Sequence, residues 1–281
     1  MAHTNSYRSP ENQDIVIPSD DQVYDLNFCL PVPGSLESER VRLVPFVASF
    51  HQYVWSSCSQ SFRSFQPAVH FDQYFQGVRD HPELFTYLPY GPFTTTGEAR
   101  IFLEDYIRSK TGALLFTILD RTKRDVLRPC QGGTFAGVIA YINTFPEQLS
   151  TEIGHVCILP AWQKTFLTTN AAGLLMKHAL DLPRPDSPNE GGWGLRRLQW
   201  QANEQNEPSV RAAKRLGFNF EGIIRWQRIL MDENKAGVKS RQGDPLKEYP
   251  GRHTAMLSMC WDDWMKDGRN MIEAMMARRW S

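Results

Sequence analysis

Hydrophobic and polar residues alternate with the period of a β-strand at several places along the chain. The segment VRLVPF (41–46) alternates as a strand does, because successive side chains point to opposite faces. Runs rich in β-branched and aromatic residues, bounded by turn residues, predict further strands. These lie at 113–120, 134–145, 150–159, 195–203, 220–230 and 254–261.

Segments with helical periodicity separate these strands. Apolar residues recur at helical spacing in 47–79, and Thr95 or Thr96 can cap a helix that carries Glu98 in its first turn. Further helices are predicted at 168–181, 208–218 and 264–280. This order of elements predicts an α/β fold, with a mixed central sheet and helices on both of its faces.

The chain divides into three parts. Residues 1–39 are polar and interrupted by prolines, which is typical of an arm that drapes over a domain or is partly disordered. One domain is predicted at 40–261. A helix follows at 262–281, and its methionine-rich face can pack on the domain or on a second subunit, so a homodimer is a candidate assembly. The polar segment 232–252 is a lid over a binding site or a mobile insertion.

Composition narrows the class of protein. The 281 residues include 31 basic and 31 acidic side chains, so no excess charge favours nucleic acid or an anionic membrane as a partner. Five scattered cysteines without a CxxC pair predict neither a disulfide framework nor a zinc site, and no other metal is expected. No stretch has the pattern of a signal peptide or a membrane span, so a cytoplasmic location is expected.

Several motifs together resemble the GNAT superfamily of acyl-CoA-dependent acetyltransferases. They are VRLVPF, HPELFTYLPYGPF, EIG, QKTFLTTNAAGLLMKHAL, NEPSVRAAKRLGF and EGIIR, and the resemblance extends from Leu36 to Trp261. The chain is most similar to the branch with the ribosomal-protein alanine N-acetyltransferases, and within it to fungal members. The resemblance implies two parallel strands, 150–159 and 195–203, that splay into a V-shaped notch for the pantetheine arm of acetyl-CoA. The pyrophosphate would lie at the N-terminus of helix 168–181.

The loop before that helix departs from the family pattern. Gln163 matches, but Phe166 and Thr168 stand where the family has small residues. Backbone N–H groups and threonine hydroxyls can still bind phosphate, although the threonines can equally serve only as helix caps. By resemblance the predicted cofactor-binding residues are Gln163, Lys164, Thr165, Phe166, Thr168, Thr169, Asn206 and Arg211.

The resemblance also implies catalytic residues. Glu152, on the strand that enters the notch, would remove a proton from the attacking amine, unless it is an edge carboxylate in a salt bridge. Strand alternation predicts that His155 faces the opposite side, so it is a second candidate base or a packed core residue. Ser209 would lie near the thioester and Asn206 near the pantetheine arm, although both also suit helix capping. Ala213 stands where many relatives carry a tyrosine acid.

Aromatic residues predict an acceptor groove. Tyr90, Phe93, Tyr141 and Trp226, with Trp55, Phe65 and Tyr87, can line it or belong to the core. So many rings favour an apolar or aromatic acceptor over a highly charged one.

The predicted activity is transfer of acetyl from acetyl-CoA, as co-substrate, to an amine of a small molecule or peptide. The altered loop leaves two alternatives open, a non-catalytic binder of acyl-CoA or of a partner, and a coenzyme-A-independent cyclase, isomerase or decarboxylase.

Overall fold

The strands lie where the alternation of the sequence predicts them. A computed structural model describes residues 25–47, 70–184 and 187–278, and eight of the described strands form one sheet in the order β1-β2-β3-β4-β5-β8-β10-β9. These are β1 (Leu36–Glu37), β2 (Val41–Pro45), β3 (Leu114–Asp120), β4 (Thr134–Phe145), β5 (Ser150–Ile158), β8 (Arg197–Asn203), β9 (Asn219–Ile229) and β10 (Gly251–Cys260). Strands β6 (Pro183–Arg184) and β7 (Ser187–Gly191) form a separate hairpin that the pattern does not predict.

The described helices also match the predicted periodicity. Thr95 caps the second helix in a full capping box with Glu98, and a π-helical turn (Leu103–Arg108) continues that helix. The helices are α1 (His70–Val78), α2 (Thr96–Phe102), α3 (Leu167–Leu180), α4 (Glu207–Arg215), α5 (Trp261–Asp263) and α6 (Arg269–Ala277). Most of the helical pattern predicted at 47–79, with Cys58 in it, lies outside the described residues.

Each face of the sheet has its own hydrophobic core. On one face, α3 packs against side chains such as Phe116, Ile153 and Trp200. On the other face, α1 and α2 cover a core of aromatic residues that includes Phe71 and Tyr90. Helices therefore lie on both faces of a mixed sheet, which confirms the predicted α/β fold.

The notch forms where β5 and β8 stop pairing. These strands are parallel and pair from Ser150 opposite Arg197 to Ile153 opposite Trp200. Beyond this point β5 runs on to Ile158 and β8 to Asn203 without pairing to each other. The splayed strands predicted at 150–159 and 195–203 are thus confirmed.

The apolar face of the last helix packs on its own domain. Ile272 is fully buried, and a side chain added at Gly173 of α3 would collide with Met276 and Ile272. An ion pair of 2.6 Å between Lys177 and Glu273 fastens the same two helices. Of the two predicted packing partners, the domain is therefore the one that covers this face.

The described part of the N-terminal arm runs over the domain. The Cys29 amide donates to the Thr111 carbonyl, and the Trp193 indole donates to the Pro31 carbonyl. Residues 1–24 of the predicted arm lie outside the described residues. No helix in the described ranges combines the length and the apolar character needed to cross a bilayer.

Candidate active site

Glu152 lies at the base of the notch as a buried carboxyl. It is on the paired part of β5, is only 4 % exposed, and accepts a 2.8 Å hydrogen bond from Asn143 Nδ2. Asn143 can reach it because a bulge in β4, with φ of 48° at Asn143, turns this side chain toward β5. Burial raises the pKa of Glu152 to about 7, and the Asn143 hydrogen bond and the charges of Arg228 and Arg252 oppose that rise. A carboxyl with this pKa can accept a proton near neutral pH.

His155 lies on the same face of the sheet as Glu152, so the prediction of opposite faces was wrong. A second bulge, with φ of 48° at His155, inserts an extra residue in β5 and breaks the alternation. His155 Nδ1 lies 2.7 Å from the Tyr90 hydroxyl, while Ile142, directly opposite Glu152, packs on the same aromatic core as Tyr90. Burial, with the charge of Arg228, lowers the pKa of His155 to about 4, so its ring is neutral at pH 7.

The predicted groove residues are scattered. Tyr90 and Phe93 are buried in the aromatic core, where Tyr90 stacks on Phe102 with ring centroids 4.0 Å apart. Tyr141 is on the other face of the sheet, fully buried, and its hydroxyl donates a 2.6 Å hydrogen bond to the Leu175 carbonyl of α3. It is therefore a core residue that cannot line a groove beside Glu152, which corrects its predicted place.

The remaining aromatic candidates lie farther out. Trp226 is 49 % exposed on the edge strand β9, where its ring packs over Gly251 and its amide donates to His253. Tyr87 is half-buried in the segment that precedes Tyr90. Trp55 and Phe65 lie outside the described residues. Among the described candidates, Tyr90 is the one that forms a hydrogen bond with His155.

The loop before α3 uses its first threonine as a cap. The Thr165 hydroxyl donates to the Trp162 carbonyl and accepts from the Leu167 amide, and Gln163 donates to the Ile158 carbonyl at the end of β5. Lys164 is exposed, with φ of 59°. Thr165 therefore has the helix-capping role that the sequence allows as an alternative, and its hydroxyl is already hydrogen-bonded.

The first turn of α3 still offers backbone donors. The amides of Thr168 and Thr169 find no acceptor among the described residues, as is usual at a helix start. The Phe166 ring packs under the Arg40 guanidinium, and the Thr169 side chain is buried. Among the predicted phosphate contacts of this loop, amide groups are thus more available than the hydroxyls of Thr165 and Thr169.

The start of α4 is capped as the sequence allowed. Asn206 Oδ1 accepts a 3.2 Å hydrogen bond from the Ser209 amide, and Ser209 Oγ accepts a 3.0 Å bond from the Trp200 indole. The Ser209 hydroxyl keeps its own hydrogen as a donor. Arg211 is exposed and pairs with Glu207 at 2.6 Å. Ala213 is fully buried and offers no acid group.

Lys235, which the sequence pattern does not single out, ties the 232–252 segment to the site. Its ammonium donates to the carbonyls of Phe85 (2.7 Å) and Tyr90 (2.9 Å), and burial lowers its pKa. The Ala236 carbonyl accepts from the Asn203 side chain at the end of β8. The start of this segment is therefore a fixed strap between β8 and Tyr90. In the sequence, Lys235 is one of three lysines in this polar segment, and no pattern distinguishes it from the others.

Comparisons with known proteins agree with this fold. The family model described as Acetyltransferase (GNAT) domain matches residues 61–219, which is more than half of the chain. No curated protein matches the sequence.

Solved structures share the fold. A GCN5-related N-acetyltransferase from Brucella melitensis is 25 % identical, with a TM-score of 0.61 over 88 % of this chain and 87 % of that one. A probable acetyltransferase of the GNAT family from Chromobacterium violaceum is 22 % identical, with a TM-score of 0.59 over 84 % and 96 %. Both similarities cover nearly the whole of each chain.

Proposed function

Because the chain belongs to the GNAT acetyltransferase family, we propose that it transfers an acetyl group from acetyl-CoA to an amine of a small molecule or peptide by direct attack. One observation carries this proposal. Glu152, a buried carboxyl with a pKa of about 7, lies where β5 and β8 part. An attacking amine is mostly protonated at neutral pH, and a base of matched pKa makes it nucleophilic.

The notch fits the co-substrate. The unpaired edges of β5 and β8 can bond an extended pantetheine arm as a further strand would. The free amides of Thr168 and Thr169, at the positive end of α3, suit a pyrophosphate, and exposed Lys164 adds a charge nearby. Asn206 and Ser209 stand at the start of α4, directly beyond β8.

The transfer places each group in a role. Glu152 takes the proton from the amine, directly or through water, while the nitrogen bonds to the thioester carbon. A backbone N–H of splayed β5 stabilises the oxygen that becomes negative. The C–S bond breaks, and the departing sulfur takes a proton from water, because Ala213 offers none. The notch contributes by holding both reactants together.

Calorimetric titration with acetyl-CoA tests the co-substrate site. Wild type should bind at micromolar concentration, Thr168→Glu should abolish binding by placing a negative charge at the start of α3, and Met265→Glu, on an exposed residue of the C-terminal segment, should not. Release of free thiol with a panel of amines then tests turnover.

The outcomes separate the alternatives. Binding without thiol release for any amine would indicate a non-catalytic acyl-CoA binder. No binding at millimolar acetyl-CoA would overturn the transferase and favour chemistry without coenzyme A.

Three narrower expectations remain predictions. They are the relation to ribosomal-protein alanine N-acetyltransferases, the cytoplasmic location and a homodimer. The edge strand β9 is the surface that supports a dimer, since its apolar residues Phe220, Ile223 and Ile229 are all exposed. Light scattering on the eluting protein measures the assembly directly.

A further inference from the structure

A buried arginine without a partner lies beside the proposed base. Arg252, at the start of β10, is 7 % exposed, and no hydrogen bond or ion pair joins its guanidinium to another described residue. Burial, with the charge of Arg228, lowers its pKa to about 10, although it remains charged at pH 7. Buried charges in proteins are almost always paired, because an isolated one loses its hydration without compensation. The charge of Glu152 opposes this lowering of the pKa, but no described carboxylate forms an ion pair with Arg252.

A second arginine stands directly opposite the first. Arg228 on β9 and Arg252 on β10 are register partners in the antiparallel pair, and Arg228 likewise has no hydrogen bond or ion pair among the described residues. Like charges in this cross-strand position repel. The charge of Arg228 also lowers the pKa values of Glu152 and His155, so the two arginines lie close to the carboxyl site.

The surrounding wall is polar and incompletely bonded. Of the seven buried side-chain polar atoms without a partner in the described ranges, three belong to this pair of strands, namely Arg252 Nε, Thr254 Oγ1 and Gln227 Oε1. Gln227 also donates a 3.1 Å hydrogen bond to Gln201 of β8. Arg252 Nε and Thr254 Oγ1 can donate hydrogen bonds to a polar ligand, whereas Gln227 Oε1 only accepts them.

The same wall faces the base. Leu198, Trp200 and Ala202 of β8 point into the core under α3. By alternation, Gln199 and Gln201 point to the other face, and Gln199 is the register partner of Glu152. Gln199, Gln201 and Glu152 therefore share one face of the sheet, and Gln227 reaches that face through its hydrogen bond to Gln201.

We infer that the amine acceptor carries an anionic group, a carboxylate or a phosphate, which binds between Arg252 and Arg228 while its amine lies at Glu152. This inference rests on the proposed acetyl transfer and names its substrate class. A guanidinium matches either anion with two parallel hydrogen bonds. Both arginines lie near Glu152, so the amine and the anion belong to one compact group, as in a free amino acid, an aminoalkyl phosphate or a peptide that begins with aspartate.

This acceptor differs from the apolar one that the aromatic content predicts. The aromatic candidates Tyr90 and Phe93 are in the core, while the exposed candidate Trp226 packs its ring over Gly251, next to Arg252. The sequence gives Arg228 and Arg252 no distinguishing pattern, since one lies in a strand with another arginine and the other at the end of a polar segment.

Matched acceptor pairs test the inference. Thiol release from acetyl-CoA is measured for glycine against glycinamide, β-alanine against its amide, phosphoethanolamine against ethanolamine, and a peptide amide beginning with Asp against one beginning with Asn. We expect the anionic member of at least one pair to have a kcat/KM about tenfold or more above its neutral partner. The pair that responds identifies whether the anion comes from a small molecule or from a peptide.

Variants locate the effect. Arg252→Gln should remove the preference, chiefly through KM for the anionic acceptor, and Arg252→Lys should restore part of it. Arg225→Gln, at an exposed arginine on the same strand as Arg228, should change nothing. The inference is overturned if Arg252→Gln keeps the preference for the anionic acceptor. It is also overturned if no pair shows this preference while neutral amines are acetylated. In both cases the proposed acetyl transfer is unaffected.

A readout without turnover separates this inference from the proposed function. Thermal unfolding of wild type and Arg252→Gln is followed with β-alanine, phosphoethanolamine and their neutral partners at millimolar concentration. An anion-specific rise in Tm that only wild type shows supports the arginine site even if acetyl-CoA does not bind. If the Tm values are equal in all conditions and neutral amines are still acetylated from acetyl-CoA, the arginine site is refuted and the proposed acetyl transfer is not.

Discussion

Asn143 and Glu152 meet across the β4–β5 pair, where the amide of Asn143 donates a 2.8 Å hydrogen bond to Glu152 Oε2. This bond lowers the pKa of Glu152 against the rise that burial causes, because it stabilises the charged form. The bulge in β4 that turns Asn143 inward therefore helps to keep the pKa of Glu152 close to neutral pH.

Removing that bond should shift the pH dependence of activity. In Asn143→Ala the pKa of Glu152 moves above about 7, so the pH at which kcat/KM reaches half its plateau should rise. Initial rates between pH 6 and 9 with one acceptor measure this shift. The exposed Asn270→Ala serves as control. If the pH dependence of kcat/KM does not change, a group other than Glu152 determines it.

The same carboxyl should make stability depend on pH. Its pKa is raised from 4.5 to about 7, so the native state binds the proton more tightly than the unfolded chain. This stabilisation is complete below pH 4.5 and is lost as pH rises through about 7, up to a ceiling of about 3 kcal/mol.

Glu152→Gln lacks this titration. Its free energy of unfolding, measured relative to wild type, should therefore improve between pH 5 and pH 8, while its acetyl transfer falls. Urea unfolding of both proteins at the two pH values measures the difference. A constant difference would show that the carboxyl titrates alike in both states.

Lys235 should hold the strap in place. Lys235→Met removes two hydrogen bonds to the carbonyls of Phe85 and Tyr90, for a loss of about 2 kcal/mol. Unfolding in urea measures this loss, and limited proteolysis should show faster cleavage within 231–250. Lys247→Met, at an exposed lysine of the same segment, should leave both unchanged.

Arg252 should cost stability while it serves binding. Arg252→Met removes a buried charge that has no partner, so the free energy of unfolding should rise by about 1 kcal/mol or more in the absence of acceptor. Arg225→Met on the exposed edge should stay within about 0.5 kcal/mol. A marked loss of stability in Arg252→Met would mean that the guanidinium packs as a structural group.

Local pattern was sufficient for much of the fold. Strand β4 occupies the predicted 134–145 because its apolar and β-branched residues are contiguous, and α2 starts at the Thr95 cap whose partner Glu98 lies three residues on. The α/β fold, with its splayed strands, follows from the order of such elements and from the family resemblance.

The site depends on features that local pattern does not show. His155 shares a face with Glu152 because a non-glycine residue takes a positive φ at a bulge, and alternation cannot predict that. Tyr141 is buried under α3 because the sheet has two covered faces. The pairing of Arg228 with Arg252 joins strands separated by a long polar segment, so only the tertiary structure brings them together.

The narrow parallel contact between β5 and β8 also has a mechanical meaning. Among the described residues, the β-pairing between strands β1–β5 and strands β8–β10 consists of four residue pairs, from Ser150 with Arg197 to Ile153 with Trp200. The sheet therefore has two parts, β1–β5 and β8–β10, which this short parallel pairing joins, and Glu152 lies within the pairing. A small rotation of one part against the other would change the width of the notch and the surroundings of Glu152 at the same time.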